Sequence, residues 1–138
     1  MERALVTGGA GFIASHLVDL LLTQGWEVVS LDDLSNGREA NLESAKKSKS
    51  FSFHQADCSD LGAIAPRFKG VTRVFHLAAL ADIVPSIVEP LKYHKANVDA
   101  TAAVLEASRA AGVKSFVYAA PSSCYGIPDA FPTPETAP

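Results

Sequence analysis

Gly8, Gly11 and Ala14 stand three apart in ALVTGGAGFIASHL, residues 4–17, where a short apolar run gives way to small residues and then to a helical pattern. The first amides of a helix have no intrahelical partner and lie at the positive end of its dipole, so a bare turn entering a helix can hold an anion. Gly8 permits the tight turn, Gly11 lets a pyrophosphate approach the backbone, and Ala14 lets the helix pack closely on the strand before it. The second half of such a site is an acid at the end of the next strand. Asp32 closes WEVVSLD, 21 residues after Gly11 (32 − 11), where a carboxylate can accept hydrogen bonds from the hydroxyls of an adenosine ribose. Together these residues predict a dinucleotide site. The carboxylate repels a 2′-phosphate, which favours NAD over NADP. Arg38 could in principle serve a 2′-phosphate; beside Asp32 and Asp33 it reads as a solvated loop arginine.

The elements that must position these residues alternate. Residues 3–7 read as a buried strand, followed by a helix with Ile13, Leu17, Leu20 and Leu21 on one face. Gly25 stands where that helix would be capped. Residues 26–32 form a second strand, rich in β-branched and aromatic side chains. Residues 33–50 are polar and turn-prone, with a short helix around 38–46. Residues 51–57 alternate as a third strand, and 61–70 hold one or two helical turns interrupted by Pro66. Residues 71–79 are apolar almost throughout, as a central parallel strand should be. The longest helix is predicted over 91–111, closed by Gly112, before a fifth strand at 114–120. This alternation predicts an α/β fold of the Rossmann type, a doubly wound parallel sheet with right-handed crossovers. The proline-rich end, GIPDAFPTPETAP, reads as an irregular loop.

Composition narrows the function class. With 138 residues, 48% hydrophobic, the chain is one domain's worth. A net charge of −3 gives no sign of a nucleic-acid surface, and Lys46, Lys47 and Lys49 form only a local cluster in a polar stretch. No run approaches the ~18 apolar residues of a membrane span, and the amino terminus enters the glycine motif without a signal peptide. Cys58 and Cys124 lack a metal or CxxC spacing and read as free thiols in a reducing compartment, which places the protein in the cytoplasm. No metal site is expected. His76 reads as a satisfied core residue, and His16, His54 and His94 as packing or surface residues.

TGGAGFIASHL, LDDLSNGR, QADCSD, VFHLAALADI, YHKANVDAT and VKSFVYAAPSSCYG occur in the order and spacing of extended short-chain dehydrogenases/reductases. Over essentially its whole length the chain resembles the NAD-dependent epimerase/dehydratase group that acts on nucleotide sugars, of the UDP-glucose 4-epimerase type. The resemblance implies a pyrophosphate loop of Gly8, Gly11, Phe12 and Ile13, with Ala14 where a third glycine is usual. It implies an adenosine-ribose loop of Asp32, Asp33 and Asn36, an adenine site at Asp57 and Cys58, and a small-residue turn of Leu77, Ala78 and Ala79 along the nicotinamide-side ribose. Asn97 matches an asparagine that serves either a structural hydrogen bond or a catalytic relay. The Cys58 match is to its backbone, which agrees with reading its side chain as a small buried apolar group.

The chemistry so implied is transient hydride exchange between NAD and a UDP-sugar, with a tyrosine as base and a lysine one helical turn on lowering its pKa. The resemblance places that Tyr/Lys pair some two dozen residues beyond the fifth strand, past Pro138. The expectation is thus a cofactor-binding domain spanning 1–138, incomplete at its carboxyl end and without the sugar-binding segment. The Ser/Thr partner of the tyrosine would fall four residues before Tyr125, at position 121 (125 − 4), which is proline. Ser122 and Ser123 are the neighbouring hydroxyls that could replace it. The resemblance further implies a homodimer formed by long helices, the first matching 91–111 with Val98 and Leu105 on its apolar face. Two other readings stay open: a different extended reductase with the same cofactor loop, and a non-catalytic NAD-binding module.

Overall fold

A computed structural model describes residues 2–127 and 129–137. Its sheet holds five parallel strands, β1 Arg3–Thr7, β2 Glu27–Asp32, β3 Phe51–Gln55, β4 Arg73–His76 and β5 Ser115–Tyr118, in the order β3-β2-β1-β4-β5. Leu5 pairs in register with Val29 and with Val74. The chain winds outward from β1 through β2 to β3, then returns to add β4 and β5 on the other side. This switch of direction opens a crevice beyond the carboxyl ends of β1 and β4, the place where such sheets bind ligands.

The period of two in the strands divides the core between the faces. Ala4, Val6 and Val28 meet α1 (Phe12–Thr23) through Ala14, Val18 and Leu21. Leu5, Val29, Leu31 and Val74 face the opposite way, onto Ile64, Phe68, Ala100, Val104 and Ala107. These come from α2 (Leu61–Ile64), the 3₁₀ turn Ala65–Phe68 and the long helix between β4 and β5. Pro66 is the second residue of the 3₁₀ turn, so the expected interruption of the helix at that proline is present. Two 3₁₀ turns, Glu39–Leu42 and Ala45–Lys47, occupy the expected short helix, with Lys46 paired to Glu39.

The face of α1 differs from expectation. Ile13 and Leu20 are 71% and 52% exposed, and the buried stripe is Ala14, Val18 and Leu21. A small residue leads the stripe because the first turn must lie close to β1, where isoleucine would hold it away. Gly25 closes the helix as expected: it follows Gln24 at φ +81°, its amide donates to the Leu22 carbonyl, and the Trp26 amide donates to the Leu21 carbonyl.

Strand β4 is shorter than expected. Past His76 the Leu77 amide is shared between the Thr7 carbonyl and the Thr7 hydroxyl, the Ala78 amide turns to the hydroxyl alone at 3.1 Å, and the chain leaves the sheet as a loop. The segment after it carries a helix the sequence reading did not assign, α3 (Ile83–Val88). The predicted long helix is present as three consecutive segments, α4 (Pro90–His94), a π turn (Lys95–Asp99) and α5 (Ala100–Ala111), with Gly112 ending the run in the left-handed region. Among the described residues no helix is long and apolar enough to cross a membrane.

Candidate functional site

At the end of β1 the chain turns through Gly8 at φ +68°, a conformation that side chains oppose. Space is short there as well, since a Cβ on Gly8 would stand 2.8 Å from the Ala78 amide nitrogen. The Gly11 amide donates to the Gly8 carbonyl at 2.9 Å and closes the turn. Gly11 then starts α1, whose amino terminus has no side-chain cap and no acidic residue in its first turn. Its leading amides and dipole therefore remain available to an anion.

The polar segment after β2 is laced to this turn. The Ala10 carbonyl accepts from the Arg38 amide and from Asn41 Nδ2. The Ala10 amide in turn donates to Asp32 Oδ2 at 2.9 Å, and Leu34 donates its amide to Asp32 Oδ1 at 2.8 Å. Each carboxylate oxygen keeps a lone pair for a further donor. Burial raises the Asp32 pKa and nearby Asp33 adds to the rise, against the lowering by the two amides. The charged form of Asp32 is thus short of donors, a deficit that a ribose diol would fill. Leu34 lies at φ +64°, a strained setting for leucine at the rim of the site.

Past β3, Asp57 Oδ1 accepts from the Ser59 amide and hydroxyl, and Oδ2 lies 2.9 Å from Lys95 Nζ on the π turn. Partial burial pushes the Asp57 pKa up, but Lys95 and Ser59 outweigh it and hold the carboxyl below its ordinary range. Lys95→Met is expected to move the Asp57 midpoint upward, read by carboxyl-carbon NMR through a pH titration; an unchanged midpoint would mean the pair does not form in solution. Next to Asp57 the Cys58 thiol is buried, its pKa pushed up to about 12 by desolvation and the neighbouring acids, so it is not a nucleophile.

These pieces converge. Gly8, Gly11 and Phe12 from the first turn, Asp32 at the end of β2 with Asp33 and Asn36 past it, Asp57 and Cys58 past β3, and Leu77, Ala78 and Ala79 past β4 line one cleft of about 260 Å³. Two of the expected cofactor-binding residues do not line it. Ile13 points outward from α1, because the helical turn that aims Ala14 at β1 aims its neighbour at solvent. Asn97 works from behind: its Oδ1 accepts from the Leu80 amide at 2.8 Å and its Nδ2 donates to the Leu80 carbonyl at 2.9 Å. These are bonds of the structural kind, and Leu80 lines the cleft.

Ser35, Gly37, Ala56, Ala96 and Ala100 also line the cleft and were missed. A Cβ on Gly37 would lie 2.8 Å from both Asp32 oxygens, so that glycine lets the loop close over the acid. The sequence does carry a signal for it, the turn-forming SNGR. Ala96 and Ala100 have none, since alanine is common in any helix. Ser122 lies exposed on the 3₁₀ turn Ser122–Tyr125 and is not part of the cleft lining; the side chain of Ser123 lies outside the described residues. Among the described residues no cluster of His, Cys, Asp and Glu could hold a metal ion.

The sequence matches the model of the NAD dependent epimerase/dehydratase family over residues 4–138. A UDP-glucose 4-epimerase of Mycolicibacterium smegmatis is 46% identical over 99% of this chain, which covers 44% of that protein. The UDP-glucose 4-epimerase of Mus musculus is 36% identical over the full chain, which covers 43% of it. Among solved structures, a Stenotrophomonas maltophila UDP-glucose-4-epimerase with bound NAD and formylated UDP-arabinopyranose superposes at TM-score 0.90 with 35% identity, over 99% of this chain and 42% of that one. A Bifidobacterium longum UDP-glucose 4-epimerase in complex with NAD+ and UDP also gives 0.90, at 30% identity, over 99% of this chain and 42% of that one. The chain thus spans less than half the length of these relatives.

Proposed function

The chain belongs to the NAD dependent epimerase/dehydratase family, and from that premise we propose that it forms the NAD-binding part of a nucleotide-sugar epimerase of the UDP-glucose 4-epimerase type. The observation that carries the reading is the convergence of five separated stretches on one cleft at the switch point of the sheet, with an uncapped helix start at its centre. The amides of the glycine turn would hold the pyrophosphate. Asp32 would accept from the adenosine ribose, Asp57 and the Cys58 backbone would face the adenine, and Leu77–Ala79 would lie along the second ribose.

NAD supplies the hydride acceptor and donor of the reaction when bound. The residues of this chain bind and orient it, and the small side chains of Ala78, Ala79 and Ala96 leave room for it. Titration calorimetry with both cofactors tests the assignment. NAD is expected to bind more tightly than NADP, because Asp32 and exposed Asp33 repel a 2′-phosphate. Tighter NADP binding would overturn it.

A UDP-sugar is the substrate this reading implies. The chain alone is expected to bind NAD without converting UDP-glucose, since its tyrosines 93, 118 and 125 are followed four residues on by Asn97, Ser122 and Asp129 rather than by lysine. Turnover by these 138 residues, measured in a coupled epimerase assay, would refute that. A non-catalytic NAD-binding role is the second reading, favoured by Pro121, which brings no hydroxyl to the place where the family's Ser or Thr is expected.

A homodimer is part of the same proposal. Leu91, Val98 and Leu105, on the helical segments between β4 and β5, are 83%, 52% and 47% exposed, apolar surface suited to a second copy. Two free cysteines, one buried and one exposed, suit a reducing compartment such as the cytoplasm.

A further inference from the structure

His76 is almost wholly buried, adjoins the cleft, and has no part in the dinucleotide contacts described above. Its hydrogen bonds can be assigned by counting donors. Thr7 Oγ1 receives the amide of Ala78 and shares that of Leu77 with the Thr7 carbonyl, so both its acceptor positions are engaged. Its own hydrogen must go to the third neighbour, His76 Nδ1, at 2.7 Å. Nδ1 is then an acceptor, and the proton of the neutral ring lies on Nε2. That nitrogen stands 2.9 Å from Thr101 Oγ1, whose hydroxyl donates in turn to the Asn97 carbonyl. The Asn97 side chain completes the circuit by bracketing both backbone groups of Leu80.

Every donor in this ring finds an acceptor only if the imidazole is neutral and protonated on Nε2. Burial favours the neutral state, lowering the His76 pKa to about 4. Tyr118 stacks on the ring at 5.8 Å and Phe116 lies against it at 6.0 Å, so both aromatic neighbours hold its plane.

We propose that His76, acting through Thr7 and Thr101, is a positioning residue that sets the loop after β4 against the glycine turn, and so fixes the half of the cleft that receives the non-adenine half of the dinucleotide. The proposal rests on the NAD-binding reading above. The sheet order supplies the division of labour. Asp32 at the end of β2 and Asp57 past β3 lie on one side of the glycine turn, while Leu77–Leu80 lie past β4 on the other. A ligand with one nucleoside at Asp32 and its phosphates on α1 must therefore extend its second nucleoside over the β4 loop. The tolerance there is small, because Ala78 already leaves no space for a Cβ on Gly8.

The test compares NAD with ADP, which ends at the phosphates. Thr7→Val and His76→Leu are each expected to weaken NAD binding at least about tenfold by calorimetry, because they orphan the Ala78 amide or release the ring that orients its acceptor. ADP affinity should stay within about twofold in both, which also shows that the variants fold. Thr7→Ser keeps the hydroxyl and should restore NAD binding to near the wild-type value. Because the two substitutions break one circuit, the double variant should lose less than the product of the single losses. Unchanged NAD affinity in the variants, or NAD and ADP affinity falling in parallel, would overturn the positioning role. Failure of the wild type to bind either ligand would instead refute the cofactor reading, and this proposal with it. A measurement on the wild type needs no variant to fold: imidazole nitrogen NMR should find His76 protonated on Nε2 at neutral pH, and a proton on Nδ1 would overturn the assignment.

Discussion

Gly11→Val is expected to abolish dinucleotide binding while the chain still folds. Gly11 sits at φ −74° and ψ 169°, an extended conformation open to any residue, so valine adds no backbone strain there. Its Cβ would come 3.0 Å from the Gly8 carbonyl oxygen, a contact relieved by a shift of a few tenths of an ångström. The two methyl groups beyond it would occupy the space between the turn and an approaching pyrophosphate, and would cover the leading amides of α1. A loss on the order of 1,000-fold in NAD affinity, ~4 kcal/mol at 1.4 kcal/mol per tenfold, is the expected size. Calorimetry gives the affinity, and circular dichroism with a melting curve checks the fold. NAD binding at wild-type strength would show that the pyrophosphate does not lie on this turn. Gly8 makes a poorer probe, because a side chain there would meet both the left-handed backbone and the Ala78 amide, disturbing fold and site together.

The second large effect is at Asp32. Asp32→Asn keeps the shape and removes the charge. NAD binding is expected to weaken about tenfold to a hundredfold, since hydrogen bonds to a charged group contribute ~1.5–3 kcal/mol. The preference against NADP should shrink, because the repulsion of a 2′-phosphate goes with the charge. The pH dependence of the unliganded chain follows from the raised Asp32 pKa. A carboxyl whose pKa is higher folded than unfolded favours folding in its neutral form. That contribution is present in acid and is lost as pH rises through the folded value, so ionised Asp32 is a cost the empty site carries at neutral pH. Ligand hydroxyls that donate to the carboxylate offset it. The wild-type preference for NAD over NADP should therefore be strongest at neutral pH and decline as acid protonates Asp32, while Asp32→Asn shows no such decline. An equal ratio of the two affinities in wild type and variant would refute the assigned role.

Much of this was legible in the sequence. That Gly8, Gly11 and Asp32 meet in one cleft could be anticipated from residue type and spacing, because a run of small residues marks the tight turn after β1 and the interval to Asp32 is that of a helix and the next strand. The alternation of strands and helices determined the parallel sheet for a similar reason, since each crossover needs a helix's length of chain and one handedness. What the sequence did not carry was rotation and cross-chain company. Ile13 and Ala14 are both apolar, and only packing against β1 decided that the smaller one faces inward. Lys95 meets Asp57, and Gly37 closes on Asp32, through folding of segments whose local patterns say nothing of each other. The end of β4 was set by the Thr7 hydroxyl, which shares the Leu77 amide with the Thr7 carbonyl and takes the Ala78 amide for itself. The same hydroxyl fixes the tautomer of His76, a residue the sequence could identify as buried but not as directed. Residue type and period are local properties and can be read along the chain; a hydrogen-bond partner is set by distance in space, which exists only once the strands have been brought side by side.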